Sequence, residues 1–173
     1  MPMETLPRLE TGMVIATRNP EGENTTPGSW LNHAMCVRGL WCIQGQADPV
    51  NVIGAQPAVY VFENYPYYEG FHVVPHDLRQ DFADLVAETI GHAYDQLHFN
   101  CVTPLVMAWE VVMDRKFRCR HPLIPRPDDV KRHKVEPVWA NPIVVSGFQK
   151  PADFFHGWTT DRAVIDRDPI LGG

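Results

Sequence analysis

Hydrophobic positions follow one rhythm in the first half of the chain and another from residue 77 onward. Before that point they fall in short runs bounded by Gly, Pro or Asn: 13–17 behind Gly12, then 34–38, 40–44, 58–63 and 71–74. Short bounded runs of this kind predict strands, here a small, mostly antiparallel sheet. Residues 19–29, rich in Asn, Thr, Gly, Glu and Pro, read as a loop. From Asp77 the spacing becomes helical, since Leu78, Phe82, Leu85, Val86, Ile90 and Ala93 share one face. This predicts an amphipathic helix over 77–90, with Asp77 and Gln80 as a capping box and Gly91 as its stop. A second helix is expected over 104–117. Leu105, Val106, Met107, Trp109, Val111, Val112 and Met113 leave it almost no polar face, which predicts a central, buried position. Pro104 suits its first turn, where backbone N–H groups lack intrahelical partners.

Beyond Arg118 the pattern breaks up among Pro122, Pro125, Pro127, Pro137 and Pro142, with one expected strand at 143–145. Trp139, Phe148, Phe154, Phe155 and Trp158 provide enough aromatic surface for this extension, 119–173, to pack onto a core at 12–118. With 173 residues in all, a single domain is expected over 1–173. The composition, 45% hydrophobic and 21% charged, suits a soluble globular protein, and 16 prolines argue against a helical bundle.

A net charge of −6 provides no basic field, so nucleic acid is not an expected partner. No apolar stretch reaches 18 residues, and Met1-Pro2-Met3-Glu4 lacks the basic and apolar regions of a secretory signal. The expectation is a cytoplasmic protein without integral membrane contact, unless another export route operates. Cys36, Cys42, Cys101 and Cys119 contain no CxxC pair, which argues against a zinc ribbon or a disulfide scaffold. Cys36 and Cys42 read as small buried hydrophobes. No metal or other cofactor is expected.

Cys101 differs from the others because it stands at the mouth of the second helix. The positive end of the helix dipole favours thiolate over thiol there, so a lowered pKa is expected; the competing reading is an inert buried thiol. Upstream, Asn32-His33-Ala34-Met35 places a histidine at the start of a strand, and an imidazole can serve such a thiol as general base. His98, three residues before Cys101, is the local alternative base, whereas His72, His76 and His92 read as surface or cap positions. The segment from Asn64 to Gly70, with Tyr65, Tyr67 and Tyr68, is either a substrate wall or a packed turn.

Gly12-Met13-Val14-Ile15, Asn32-His33-Ala34-Met35, and Ile90-Gly91-His92-Ala93-Tyr94-Asp95 leading to Asn100-Cys101-Val102 follow in an order that resembles the circularly permuted papain-like families. These include permuted NlpC-type cysteine peptidases and the lecithin:retinol acyltransferase-like proteins. The resemblance covers residues 12–113 and implies an α+β, permuted papain-like (NlpC-like) fold, with a small antiparallel sheet packed on a central buried helix. It implies Cys101 as nucleophile and His33 as base. Gln44 stands on the next strand, where the family often has an acidic residue that orients the imidazole, and Gly12-Met13 replaces the common Gly-Asp start. Tyr94 and Asn100 fall at substrate or oxyanion positions. The implied activity is cysteine hydrolysis of an amide bond, with a cell-wall (peptidoglycan) peptide as substrate. Acyl transfer or hydrolysis of a lipid or thioester is the alternative chemistry. A silent binding or assembly module is the alternative outside chemistry, and the uncharged Gln44 is its support.

Overall fold

Successive residues of a strand point to opposite faces of a sheet, and in the central strands of this protein both faces are covered. The computed structural model describes residues 6–18, 29–65, 67–121, 124–140 and 151–167. Six strands, β1 (Val14–Arg18), β2 (His33–Arg38), β3 (Trp41–Gln46), β4 (Val52–Pro57), β5 (Tyr67–His72) and β6 (Glu136–Ala140), form one sheet in the order β4-β3-β2-β1-β5-β6. Every neighbouring pair is antiparallel. The helices are α1 (Ala58–Asn64), α2 (Arg79–Ala87), α3 (Thr103–Met113), α4 (Pro127–Arg132) and α5 (Arg162–Arg167), so the chain is α+β.

The alternation splits the core into two apolar clusters. Val14, Ala34, Cys36 and Ile43 join Phe82 and Val86 of α2 and Leu105, Ala108 and Trp109 of α3. Met13, Ile15, Met35, Val37 and Cys42 join Ala58, Val61 and Phe62 of α1 and Phe154 of the C-terminal segment. The extension beyond residue 118 thus contributes an edge strand, β6, and aromatic packing.

Several expected elements differ from the observed ones. Residues 58–63 are helical, not extended: Ala58, Val61 and Phe62 repeat at i, i+3, i+4 and place one face of α1 on the sheet. The fourth strand lies just before them, at Val52–Pro57, and the fifth begins at Tyr67. Over 77–90 a short 3-10 turn, His76–Leu78, leads into α2, which ends at Ala87; no side-chain capping bond forms at its start. Gly91, at φ 94°, does turn the chain just beyond. Helix α3 stops at Asp114, which adopts the left-handed conformation with φ 51°. Nor is α3 buried all round, because Met107 and Val111 are 48% and 65% exposed. It packs through Leu105, Ala108 and Trp109 and is a flanking helix, not a central one. The expected strand at 143–145 lies outside the described residues. Among the described residues no helix is long and apolar enough to cross a membrane.

Candidate active site

The sheet opens at one end. The β1–β2 ladder continues to Thr17 opposite His33, and the β3–β4 ladder to Gln46 opposite Val52. Between them the β2–β3 ladder pairs only Cys36, Val37 and Arg38 with Ile43, Cys42 and Trp41. The start of β2 therefore parts from the end of β3, leaving a notch between His33-Ala34 and Gln44-Gly45-Gln46. Cys101, just before α3, brings its sulfur to this notch, where the backbone N–H of Ala34 points at it. Tyr94 closes the other side. Its N–H donates to Asn51 O (3.0 Å), and its ring covers Gly45 so closely that a Cβ there would lie 3.0 Å from Tyr94 Cδ2 and 2.6 Å from Ile53 Cδ1.

His33 is 8% exposed and its ring is held by polar but uncharged neighbours. Nε2 lies 2.6 Å from Gln44 Oε1, and Tyr65 stacks on the ring with centroids 5.9 Å apart. Gln46 Nε2 donates to Gln44 Oε1 (2.9 Å) and to the Tyr65 hydroxyl (3.1 Å), and lies 3.3 Å from His33 Nε2. Gln44 Nε2 in turn donates to Gln56 Oε1 (3.3 Å). Gln56 Nε2 donates to the carbonyls of Phe154 and His156, each at 2.8 Å.

Burial sets the charge state of the site. It raises the Cys101 thiol to about 11, although the Ala34 and Cys101 N–H groups pull the other way. It lowers the His33 imidazole to about 4, against the raising effect of the Gln44 hydrogen bond. The expected low-pKa thiolate is thus corrected: the helix terminus does not outweigh desolvation, and the resting pair is neutral thiol and neutral imidazole. Tyr65 and Tyr94 are likewise pushed well above the ordinary phenol value by burial, with the nearby Cys101 adding to it.

Asn100 lies beside Cys101, but its side chain is engaged with backbone. Its Oδ1 accepts from the N–H groups of Val102 (2.9 Å) and Thr103 (3.3 Å), and its Nδ2 donates to Gln96 O (3.4 Å) and Pro125 O (3.3 Å). It caps the start of α3, where orphan N–H groups need acceptors. A second brace holds the approach to His33. Asp128 of α4 accepts the N–H groups of Trp30 (2.7 Å) and Leu31 (3.1 Å). His98 is well exposed and paired with Asp95 at 3.0 Å, away from the buried ring cluster. His72 corrects the surface assignment: its side chain is fully buried, with Nε2 2.7 Å from Glu10 Oε1. Of the tyrosine-rich segment, Tyr65 reaches the site, whereas Tyr67 and Tyr68 belong to β5. Among the described residues no group of three His, Cys, Asp or Glu side chains is disposed to hold a metal ion.

Gln46, Gln56 and Asp128 are the site neighbours that sequence reasoning misses. The only local hint is the spacing of Gln44, Gln46 and Gln56, polar residues at even positions on strands whose odd positions are apolar. Comparison of the chain with known protein families, with curated proteins and with solved structures finds no match.

Proposed function

We propose that this protein is a thiol hydrolase of the permuted papain-like kind, acting on an amide bond in a cell-wall peptide. The observation that carries this reading is the notch itself: the Cys101 sulfur sits at the N–H of Ala34, and the adjacent His33 is oriented through Nε2 by Gln44 at 2.6 Å. With Nε2 occupied, Nδ1 is the nitrogen left to act as base. It takes the thiol proton as sulfur adds to the carbonyl carbon, and the carbonyl π pair moves onto oxygen. The Cys101 N–H and Tyr94 are the donors assigned to that oxyanion. Collapse breaks the C–N bond, and the amine departs with the proton from Nδ1. Water then adds to the thioester with His33 again as base, releasing the acid and restoring the thiol. Because both groups start neutral, proton transfer accompanies attack.

An acyl substrate is the second reading, and one observation favours it. A groove of about 410 Å³, lined by Leu85, Phe99, Met107 and Val111 among others, runs between α2 and α3, and its Phe99 lies two residues before Cys101 in the sequence. An apolar chain fits such a lining. A silent binding module is the third outcome, in keeping with Gln44 standing in place of a carboxylate. One experiment separates them: turnover of a peptidoglycan-derived peptide and of an acyl ester by wild type and Cys101→Ala, with thermal melts of both. Loss of turnover in the variant with little change in Tm is expected. No turnover of either substrate by wild type, with a variant destabilised by about 1 kcal/mol or more through lost burial, would end the enzyme reading.

A further inference from the structure

We propose that the backbone carbonyls of Phe154 and His156, acting through Gln56 and Gln44, fix His33 in the Nε2–H tautomer, so that Nδ1 carries the lone pair. Carbonyl oxygens only accept hydrogen bonds, whereas the two ends of a glutamine amide can exchange places. The atom of Gln56 that lies 2.8 Å from both carbonyls must therefore be its nitrogen, since an oxygen there would face two oxygens. Both of its protons are used in these bonds, and Oε1 is left pointing at Gln44. The atom of Gln44 at 3.3 Å from that oxygen is then its own nitrogen, which turns Gln44 Oε1 towards the imidazole. An oxygen 2.6 Å from Nε2 requires a proton on Nε2.

The opposite tautomer needs a donor aimed at Nε2, and the only other amide near it is that of Gln46, at 3.3 Å among the described residues. Both protons of the Gln46 nitrogen go elsewhere, to Gln44 Oε1 at 2.9 Å and to the Tyr65 hydroxyl at 3.1 Å. Every polarity in the chain of bonds is thus dictated from its far end, in a segment that also packs Phe154 against Tyr65. Gln56 and the 154–156 backbone are positioning groups: they act on the imidazole through Gln44. In a site whose orienting residue is an uncharged amide, this replaces the fixed polarity that a carboxylate, an acceptor at both oxygens, would have by itself.

The inference rests on the reading of His33 as base only for its catalytic consequence; the tautomer is a property of the resting protein. Its test is long-range ¹H–¹⁵N correlation of the histidine rings in the full chain at pH 7.5, with His33 assigned by its disappearance in His33→Gln. Wild type is expected to show a neutral Nε2–H ring. Gln56→Leu, which frees the Gln44 amide to turn over, is expected to raise the Nδ1–H population about tenfold, the scale of one lost hydrogen bond. Gln56→Met, closer in shape, serves if the leucine variant does not fold. A wild-type ring in the Nδ1–H or doubly protonated form overturns the proposal, and so does an unchanged tautomer in a folded Gln56 variant. Inactivity towards both substrates above would remove the hydrolase reading while leaving the tautomer result standing.

Discussion

Burial acts on Cys101 and His33 in opposite directions, and the outcome is a pair without charge. Desolvation moves the thiol up to about 11 and the imidazole down to about 4, so at neutral pH the proton stays on sulfur. The N–H groups of Ala34 and Cys101 that face the sulfur only reduce the rise. Towards an alkylating agent, which has no base to help it, the reactive species is then a small thiolate fraction whose size follows pH. Pulsed iodoacetamide labelling with peptide mapping should show Cys101 alkylation rising about tenfold per pH unit from pH 7 to 10. A rate already level between pH 5 and 8 would reveal a preformed thiolate–imidazolium pair and refute this account. Cys36 and Cys42, fully buried and pushed higher still, should label more slowly throughout. At this scale Gln44 matters as an acceptor without charge, so it orients the ring but does not hold it protonated.

Cys101 stands at the entrance of helix α3, and Asn100 decides how that entrance is built. Because Asn100 Oδ1 accepts from the Val102 N–H (2.9 Å), truncation to alanine leaves that donor without its partner, whereas the Thr103 N–H keeps the Asn100 backbone carbonyl at 3.2 Å. Asn100→Ala should lower stability by about 1 kcal/mol in urea titrations, while Asn100→Asp, which retains the acceptor, should lose little. Equal losses in both variants would point instead to the bonds donated to Gln96 and Pro125. The order of β1, β2, β3, α2 and Cys101 is legible in the sequence because alternating and helical spacings are local properties. The pair Val52–Pro57 and Ala58–Asn64 is not. Val, Tyr and Phe in α1 look like strand residues, and Gly54 and Pro57 are poor ones for β4. Gly54 is tolerated there because the Trp158 indole fills its side-chain space, 2.5 Å from where a Cβ would stand. That partner comes from the far end of the chain, and no local pattern announces it. The same holds for the site: Cys101, His33 and Gln44 stand out by residue type and position, and Gln46 follows on the same face of β3, but Gln56 joins them only through strand register. The exposed Met107 and Val111 were equally hidden, since hydropathy alone cannot tell a buried face from an open groove.

Covering both faces of the sheet buries groups that must remain neutral, and this bounds the pH range of the whole molecule. On the acid side the unfolded chain protonates His33 near 6.5, while the folded one refuses the proton until about 4. Stability is therefore fully present above 6.5 and drains away between these values, by about 3 kcal/mol for this one group. His72, fully buried beside Glu10 and lowered in the same direction, adds to the loss. On the alkaline side the unfolded thiols ionise from about 9, but burial keeps Cys36, Cys42 and Cys101 protonated in the fold. Each then favours unfolding by about 1.4 kcal/mol per pH unit once its unfolded value is passed. Urea unfolding of the full chain should give a plateau between pH 7 and 8.5 with decline on both sides. The decisive comparison is His33→Gln, which removes one of the titrating groups and should shrink the loss between pH 7.5 and 4.5 by most of the His33 share without touching the alkaline limb. If wild type and variant lose the same stability over that interval, His33 is not held neutral by burial, and both the pH window and the neutral starting state of the site fall with it.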